Sequence, residues 1–216
     1  MSRNESDLHG IVAQIVDARR RIPSHRSVVV ALSGIDACGK GHLAMKLADL
    51  LGARGMRVAG INIDGWLNLP HRRFDKTNPA EHFYLHAIRF DDLFAQLVFP
   101  LRARRSLRIE MDFAEETATE YRRHTYEFSE TDVILLEGIY LLKRAFQDRY
   151  DLSLWIDCSF ETALERAVAR EQEGLPPEAT ISAYRTIYFP AQEIHFIRDN
   201  PRSAATAIVT NDPRLS

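Results

Sequence analysis

The chain has 216 residues, 45% of them hydrophobic and 27% charged, with a formal net charge of −2. These values describe an ordinary globular domain long enough to bury a substantial core, and they give no electrostatic reason for a nucleic-acid or membrane partner. The two cysteines, Cys38 and Cys158, lie far apart in no CxxC spacing, the first seven residues lack a signal-peptide core, and no apolar run approaches the ~20 residues of a membrane span. A single cytoplasmic domain over 1–216, in a reducing compartment, is the expectation.

Leu8, Ile11, Val12, Ile15 and Val16 recur at helical spacing and predict a packing helix over 6–21, ended by Pro23. Ser27 to Leu32 is a continuous apolar run, as in a parallel strand covered on both faces. The next stretch, Ser33-Gly34-Ile35-Asp36-Ala37-Cys38-Gly39-Lys40-Gly41-His42, precedes an amphipathic run from Leu43 to Leu51. Strand, glycine-rich turn, lysine and helix form the layout of a phosphate-binding P-loop. Its backbone N–H groups converge on a phosphate chain, and Lys40 adds a full charge near the β- and γ-phosphates. Gly34 to His42 are therefore the candidate ATP-binding residues. Gly41 stands where a Ser or Thr hydroxyl usually binds Mg²⁺.

Val58 to Ile63 reads as a second strand ending at Asp64, and strand ends are where ligands bind in such sheets. Residues 65–90 look irregular, with Trp66, Arg72, Arg73, His82 and Tyr84, and suggest a substrate wall. His82 and His86 share a helix face but have no third ligand in spacing, so solvated or substrate-facing roles are favoured over a metal site. A helix is expected from Phe90 to Leu101, ending at Pro100. Arg102, Arg104, Arg105 and Arg108 form a basic patch that reads first as a solvated loop and keeps a phosphorylated acceptor in play. Leu107–Phe113 alternates, and Tyr121–Phe128 is its expected hairpin partner in an insertion over 102–130, projecting over the strand ends.

Asp132 to Glu137 is a buried strand ending in an acid, the Walker B layout, and Glu137 is the candidate Mg²⁺ ligand together with Asp64. A helix over 141–150 and a strand over 152–157 follow. Ser159 is the expected N-cap of a helix whose Arg166 and Arg170, four apart, share one face of a lid over 166–178. A helix over 179–198 should break near Pro190. A fifth strand spans 205–210, and Asn211-Asp212-Pro213 turns away beside the adenine position.

Taken together these residues resemble the uridine kinase-like branch of P-loop small-molecule kinases, close to phosphoribulokinase and bacterial pantothenate kinase. The carriers are Gly34 to Lys40, Ile63-Asp64-Gly65-Trp66 with Pro70 and Arg73, Phe83-Tyr84, Met111-Asp112-Phe113, Val133 to Ile139, Arg166, Arg170, and Asn200-Pro201 through Asn211-Asp212. The resemblance implies an α/β P-loop NTPase fold: a five-stranded parallel sheet with helices on both faces, a small β-hairpin and a lid. It implies ATP-dependent phosphorylation of a primary hydroxyl with Mg²⁺. Asp64 matches the catalytic aspartate, Glu137 the Walker B carboxylate, and Arg166 and Arg170 the lid arginines, with Lys40 the phosphate-loop lysine. Arg73, Tyr84 and Asp112 match substrate-side positions.

The chain departs from the pattern at Gly41, at Trp66-Leu67 in place of Phe-Tyr, and after Met111-Asp112-Phe113, where Glu115, Glu116 and Thr117 replace base-recognising side chains. Asp36 is a candidate to compensate for the hydroxyl that Gly41 lacks. Nucleosides, pantothenate-like alcohols, sugars and sugar phosphates all stay open as the small-molecule hydroxyl acceptor, and a homodimer is admitted as the assembly. The competing class is a nucleotide-binding regulatory module, favoured by Gly41 and opposed by the presence of both Asp64 and Glu137. A GTPase is disfavoured by the lack of an Asn/Thr-Lys-x-Asp motif, and a nucleic-acid module by basic clusters dispersed among acids.

Overall fold

The computed structural model describes residues 3–170 and 176–215. Five strands form one parallel sheet in the order β2-β5-β1-β6-β7: β1 Val28–Gly34, β2 Val58–Asn62, β5 Val133–Gly138, β6 Leu152–Asp157 and β7 Ala207–Thr210. Every residue of β1 is buried, which is why its sequence runs without alternation. The remaining strands, β3 Leu107–Phe113 and β4 Arg122–Phe128, pair antiparallel as a separate hairpin. The expected fold class, P-loop sheet and hairpin are present.

The helix α1, Arg3–Arg21, packs on β1, β7 and α2, Lys40–Gly52. Its Val12 and Ile15 are fully buried, each worth about 1.5–3 kcal/mol of apolar transfer. The region expected to be irregular contains two short helices, α3 Pro70–Arg73 and α4 Pro79–His86; Asn78 caps the latter by accepting from the Glu81 N–H. Among the described residues no helix is long and apolar enough to cross a membrane.

Two prolines do not act as the sequence suggests. The helix over 90–104 (α5) runs straight through Pro100, and, beyond α6 (Phe160–Arg170), the helix over 177–199 (α7) runs through Pro190. In each, a widened π-helical segment comes just before the proline, Leu93–Val98 and Tyr184–Tyr188. A proline ring collides with the carbonyl four residues back, and the wider turn moves that carbonyl aside. The helix expected over 141–150 is also absent. Tyr140 takes a left-handed φ of 59°, and successive tight turns follow, ending in a 3₁₀ turn at Gln147–Arg149. Leu141 and Leu142 are both fully buried, and Lys143 and Phe146 pack against the rings of Tyr84 and Phe90, a set no single helix face can present.

Two members of the basic patch, Arg102 and Arg105, belong to the opposite rim of the sheet from the phosphate loop, while Arg108 pairs with Glu127 across the hairpin. Arg105 and Arg19 pair with Asp132 ahead of β5, at 2.6 and 3.1 Å, and Arg102 pairs with Asp151 ahead of β6 at 2.8 Å. These arginines fasten the strand entrances and do not face an acceptor.

Candidate active site

At the carboxyl rim the sheet register brings three strand ends onto one level, with Glu137 of β5 between Leu32 of β1 and Asn62 of β2. The phosphate loop leaves β1 at Gly34 and enters α2 at Lys40. Left-handed φ values at Ala37 (56°) and Gly39 (94°) curl it into a nest of inward N–H groups. No side chain caps the α2 N-terminus, so its N–H groups stay available to an anion. Lys40 is 8% exposed and donates to the Ile35 carbonyl at 2.9 Å, which holds its ammonium inside the loop. Burial opposes that charge, but Cys38, Asp36, Glu137 and Asp64 more than offset it, and the pKa stands above the usual lysine value. The Cys38 carbonyl is fixed from two directions, by Asn211 Nδ2 at 2.7 Å and Arg166 Nη1 at 3.3 Å.

Asp64 sits in a 3₁₀ turn, Ile63–Gly65, directly after β2, and the Asn62 side chain accepts from its N–H at 2.7 Å. Burial pushes the Asp64 carboxyl up from the ordinary range, against the pull of Lys40 and Arg170. Glu137 is raised for the same first reason, with Lys40 and Arg170 lowering it and Asp64 raising it. Two buried carboxyls, each with its pKa raised first by burial, beside a lysine suit a divalent cation. A β-carbon built on Gly41 would lie 3.5 Å from Glu137 Oε1, so the position lacking the hydroxyl does face this acid. Asp36 is not loose enough to swing in as a substitute. Its Oδ1 accepts from the Ala37 N–H at 2.8 Å and its Oδ2 from the Tyr184 hydroxyl.

A cavity of about 420 Å³ opens beside these groups. Asp36, Lys40 and Asp64 line it, with Arg73, Glu116, Thr117 and Gln192 as further polar groups. Its walls include Phe74 and Phe83, stacked at 5.7 Å, with Tyr188 tilted against Phe83 at 5.0 Å. The hairpin roofs the Asp64 turn: Ala114 N–H donates to the Gly65 carbonyl at 3.2 Å, and Trp66 stacks on Tyr126 at 5.9 Å.

The sequence is 26% identical over 163 residues to uridine kinase from Limosilactobacillus reuteri, covering 74% of this chain and 72% of that protein. The structure of a possible uridine kinase from Bacillus stearothermophilus matches with a TM-score of 0.69 at 19% identity, covering 94% of this chain and 98% of that one. Phosphoribulokinase from Rhodobacter spheroides matches with a TM-score of 0.57 at 12% identity, over 84% of this chain and 69% of that one. In sequence and fold the chain is similar to the uridine kinase-like P-loop kinases. No family model matches it.

Within this uridine kinase-like frame the structure gathers Lys40, Asp64, Glu137, Arg166 and Arg170 around the loop, and Arg73 in the adjoining cavity. Arg170 enters through its electrostatic pull on both carboxylates. The middle of the expected lid, 171–175, lies outside the described residues. Two substrate-side expectations are corrected. Tyr84 does not line the cavity: its hydroxyl donates to Asp199 Oδ2 at 2.7 Å, and that carboxylate also contacts His195 Nδ1 at 2.7 Å. Its helix neighbour Phe83 takes the cavity wall instead. Asp112 lies on the outer hairpin face, paired at 2.7 Å with its cross-strand partner Arg123, while Glu116 and Thr117 of the hairpin loop reach the cavity. Sequence reasoning missed Phe74, Tyr188 and Gln192, and of the pair Phe83-Tyr84 it chose the wrong member for the cavity. Gln192 alone left a readable trace, an amide on the apolar side of a helix.

Proposed function

We propose that the chain is an ATP-dependent phosphotransferase acting on a hydroxyl of a small molecule held in the 420 Å³ cavity. The observation that carries this reading is that Asp64, with its carboxyl pKa raised by burial, lines the same cavity as Lys40. Such a carboxylate is a stronger base than a solvated one and still accepts a proton from an alcohol as its oxygen attacks. The acceptor O–H bond breaks toward Asp64, the new O–P bond forms, and the γ-phosphoryl bond to the departing ADP breaks. Lys40 and the loop N–H groups hold the phosphates, and Arg166 and Arg170 face the transferring group, where electrostatic stabilisation contributes most. Glu137 and Asp64 would hold Mg²⁺, which when bound neutralises charge on the β- and γ-phosphates.

The test is ADP release with a panel of nucleosides, pantothenate, glycerate and sugar phosphates, for the wild type and for Asp64→Asn. The substitution should lower turnover by ~10²–10⁴ while ATP affinity stays near the wild-type value. A variant with normal turnover refutes the base assignment. Gly41 favours a second reading, a nucleotide-binding regulator. ATP binding with no acceptor-stimulated ADP release anywhere on the panel would establish that one instead.

A further inference from the structure

Gln192 lies on α7, three residues before His195 and three after Phe189, and it is 1% exposed. Its neighbours Ala191 and His195 are fully buried. It lines the acceptor cavity, yet its side-chain oxygen Oε1 has no hydrogen-bond partner. A buried amide carbonyl left unmatched is costly, and native proteins satisfy nearly all such groups. Leucine, of similar reach, would complete the apolar wall that Phe83, Ile139 and Ile187 provide, without that cost.

We propose that Gln192 is a specificity-determining residue for the acceptor: its amide oxygen takes a hydrogen bond from a neutral donor, a hydroxyl or N–H, on the bound molecule. This rests on the kinase reading of the cavity and deepens it. The acceptor then carries at least one donor group besides the hydroxyl that receives phosphate. The apolar and aromatic walls position its body, and Gln192 reads the second donor. A site built to bond such a group rejects analogues lacking it, because the carbonyl is again left unmatched. A monohydric alcohol of the same size would therefore be a poor acceptor, and a polyhydroxy or imide-bearing one a good acceptor.

The test compares wild type with Gln192→Leu in two measurements. The first is the melting temperature of the ligand-free protein. Removing an unmatched buried carbonyl should raise it by about 2–4 °C. A fall of similar size would mean that Gln192 is a structural residue and would overturn the inference. The second is initial-rate kinetics, with uridine as the first probe and then the acceptor panel. For any molecule the wild type phosphorylates, Gln192→Leu should raise the acceptor KM by ~10-fold or more, with the ATP KM unchanged and kcat affected less. An unchanged acceptor KM overturns the inference. A wild type that phosphorylates nothing on the panel sinks the kinase reading, and the melting temperature then decides Gln192 alone.

Discussion

Gly138→Ala is expected to injure the site without touching a functional group. Gly138 ends β5 immediately after Glu137, and a β-carbon there would lie 2.1 Å from Ile63 Cγ1 and 2.3 Å from Cδ1. Ordinary contact is about 1 Å or more beyond that, so Ile63 must move by roughly that much. Ile63 is fully buried, so any shift must displace packed neighbours. It is also the residue before Asp64, in the 3₁₀ turn that aims the carboxylate. Overpacking of this kind costs about 1–3 kcal/mol, which for a chain of this size lowers the melting temperature by about 2–12 °C. A shift of ~1 Å at the base costs ~10² in rate. Thermal unfolding and initial-rate kinetics with the preferred acceptor would show both losses, with the ATP KM retained because the phosphate loop hangs from β1. Adding Ile63→Ala should restore part of the stability, since the two positions contend for one volume. A Gly138→Ala protein with wild-type melting temperature and kcat would refute the claim that this contact sets the Asp64 turn.

Two further outcomes follow from the geometry. Gly41→Ser fits without strain, since the new β-carbon meets only Glu137 Oε1 at 3.5 Å, and its hydroxyl should lower the Mg²⁺ concentration for half-maximal activity by about 2–10-fold. An unchanged Mg²⁺ titration would show that this position does not face the metal. Asp212 accepts from the Ser159 N–H (2.7 Å) and hydroxyl (2.5 Å), the Thr162 hydroxyl (2.7 Å) and the Arg214 N–H (2.8 Å). Burial pushes its carboxyl up, but these bonds outweigh burial and hold it far below the ordinary range. A folded-state pKa below the unfolded value gives stability that is full above about pH 4 and is lost as pH falls further. The melting-temperature gap between wild type and Asp212→Asn should therefore be constant from pH 5 to 8 and shrink progressively as pH falls below about 4. A gap that keeps its full neutral-pH size at pH 2.5 would count against the charge.

The parallel sheet was legible because burial on both faces forces continuous apolar runs, and the acidic rim because Asp64 and Glu137 each close such a run. The phosphate loop was legible because its chemistry is local. What escaped depended on phase or distance. One residue along α4 turns the side chain by about 100°, which separates the cavity-lining Phe83 from the core-facing Tyr84. The pleat of β3 buries Met111 and turns Asp112 outward to Arg123. Arg102 and Arg105 read first as part of a solvated loop because their partners, Asp151 and Asp132, arrive from 49 and 27 residues away. Pro100 and Pro190 were misread because the widened turns that accommodate them have no sequence signature.

The widened turn at Tyr184–Tyr188 also works as a phase adjuster. Ala183 and Gln192 both line the cavity although they are nine residues apart, a separation that in an unbroken α-helix points the two side chains in roughly opposite directions. Absorbing one extra residue in the wide turn swings the second half of α7 back by about 100° and returns Gln192 to the cavity side. Deleting that one residue together with the wide turn would keep the same row of side chains on the cavity side, whereas straightening the turn at constant length would turn a different row toward it. A one-codon change in length can thus be taken up in this helix with the cavity lining kept, and it is the wide turn, not the residue count, that holds the lining in place.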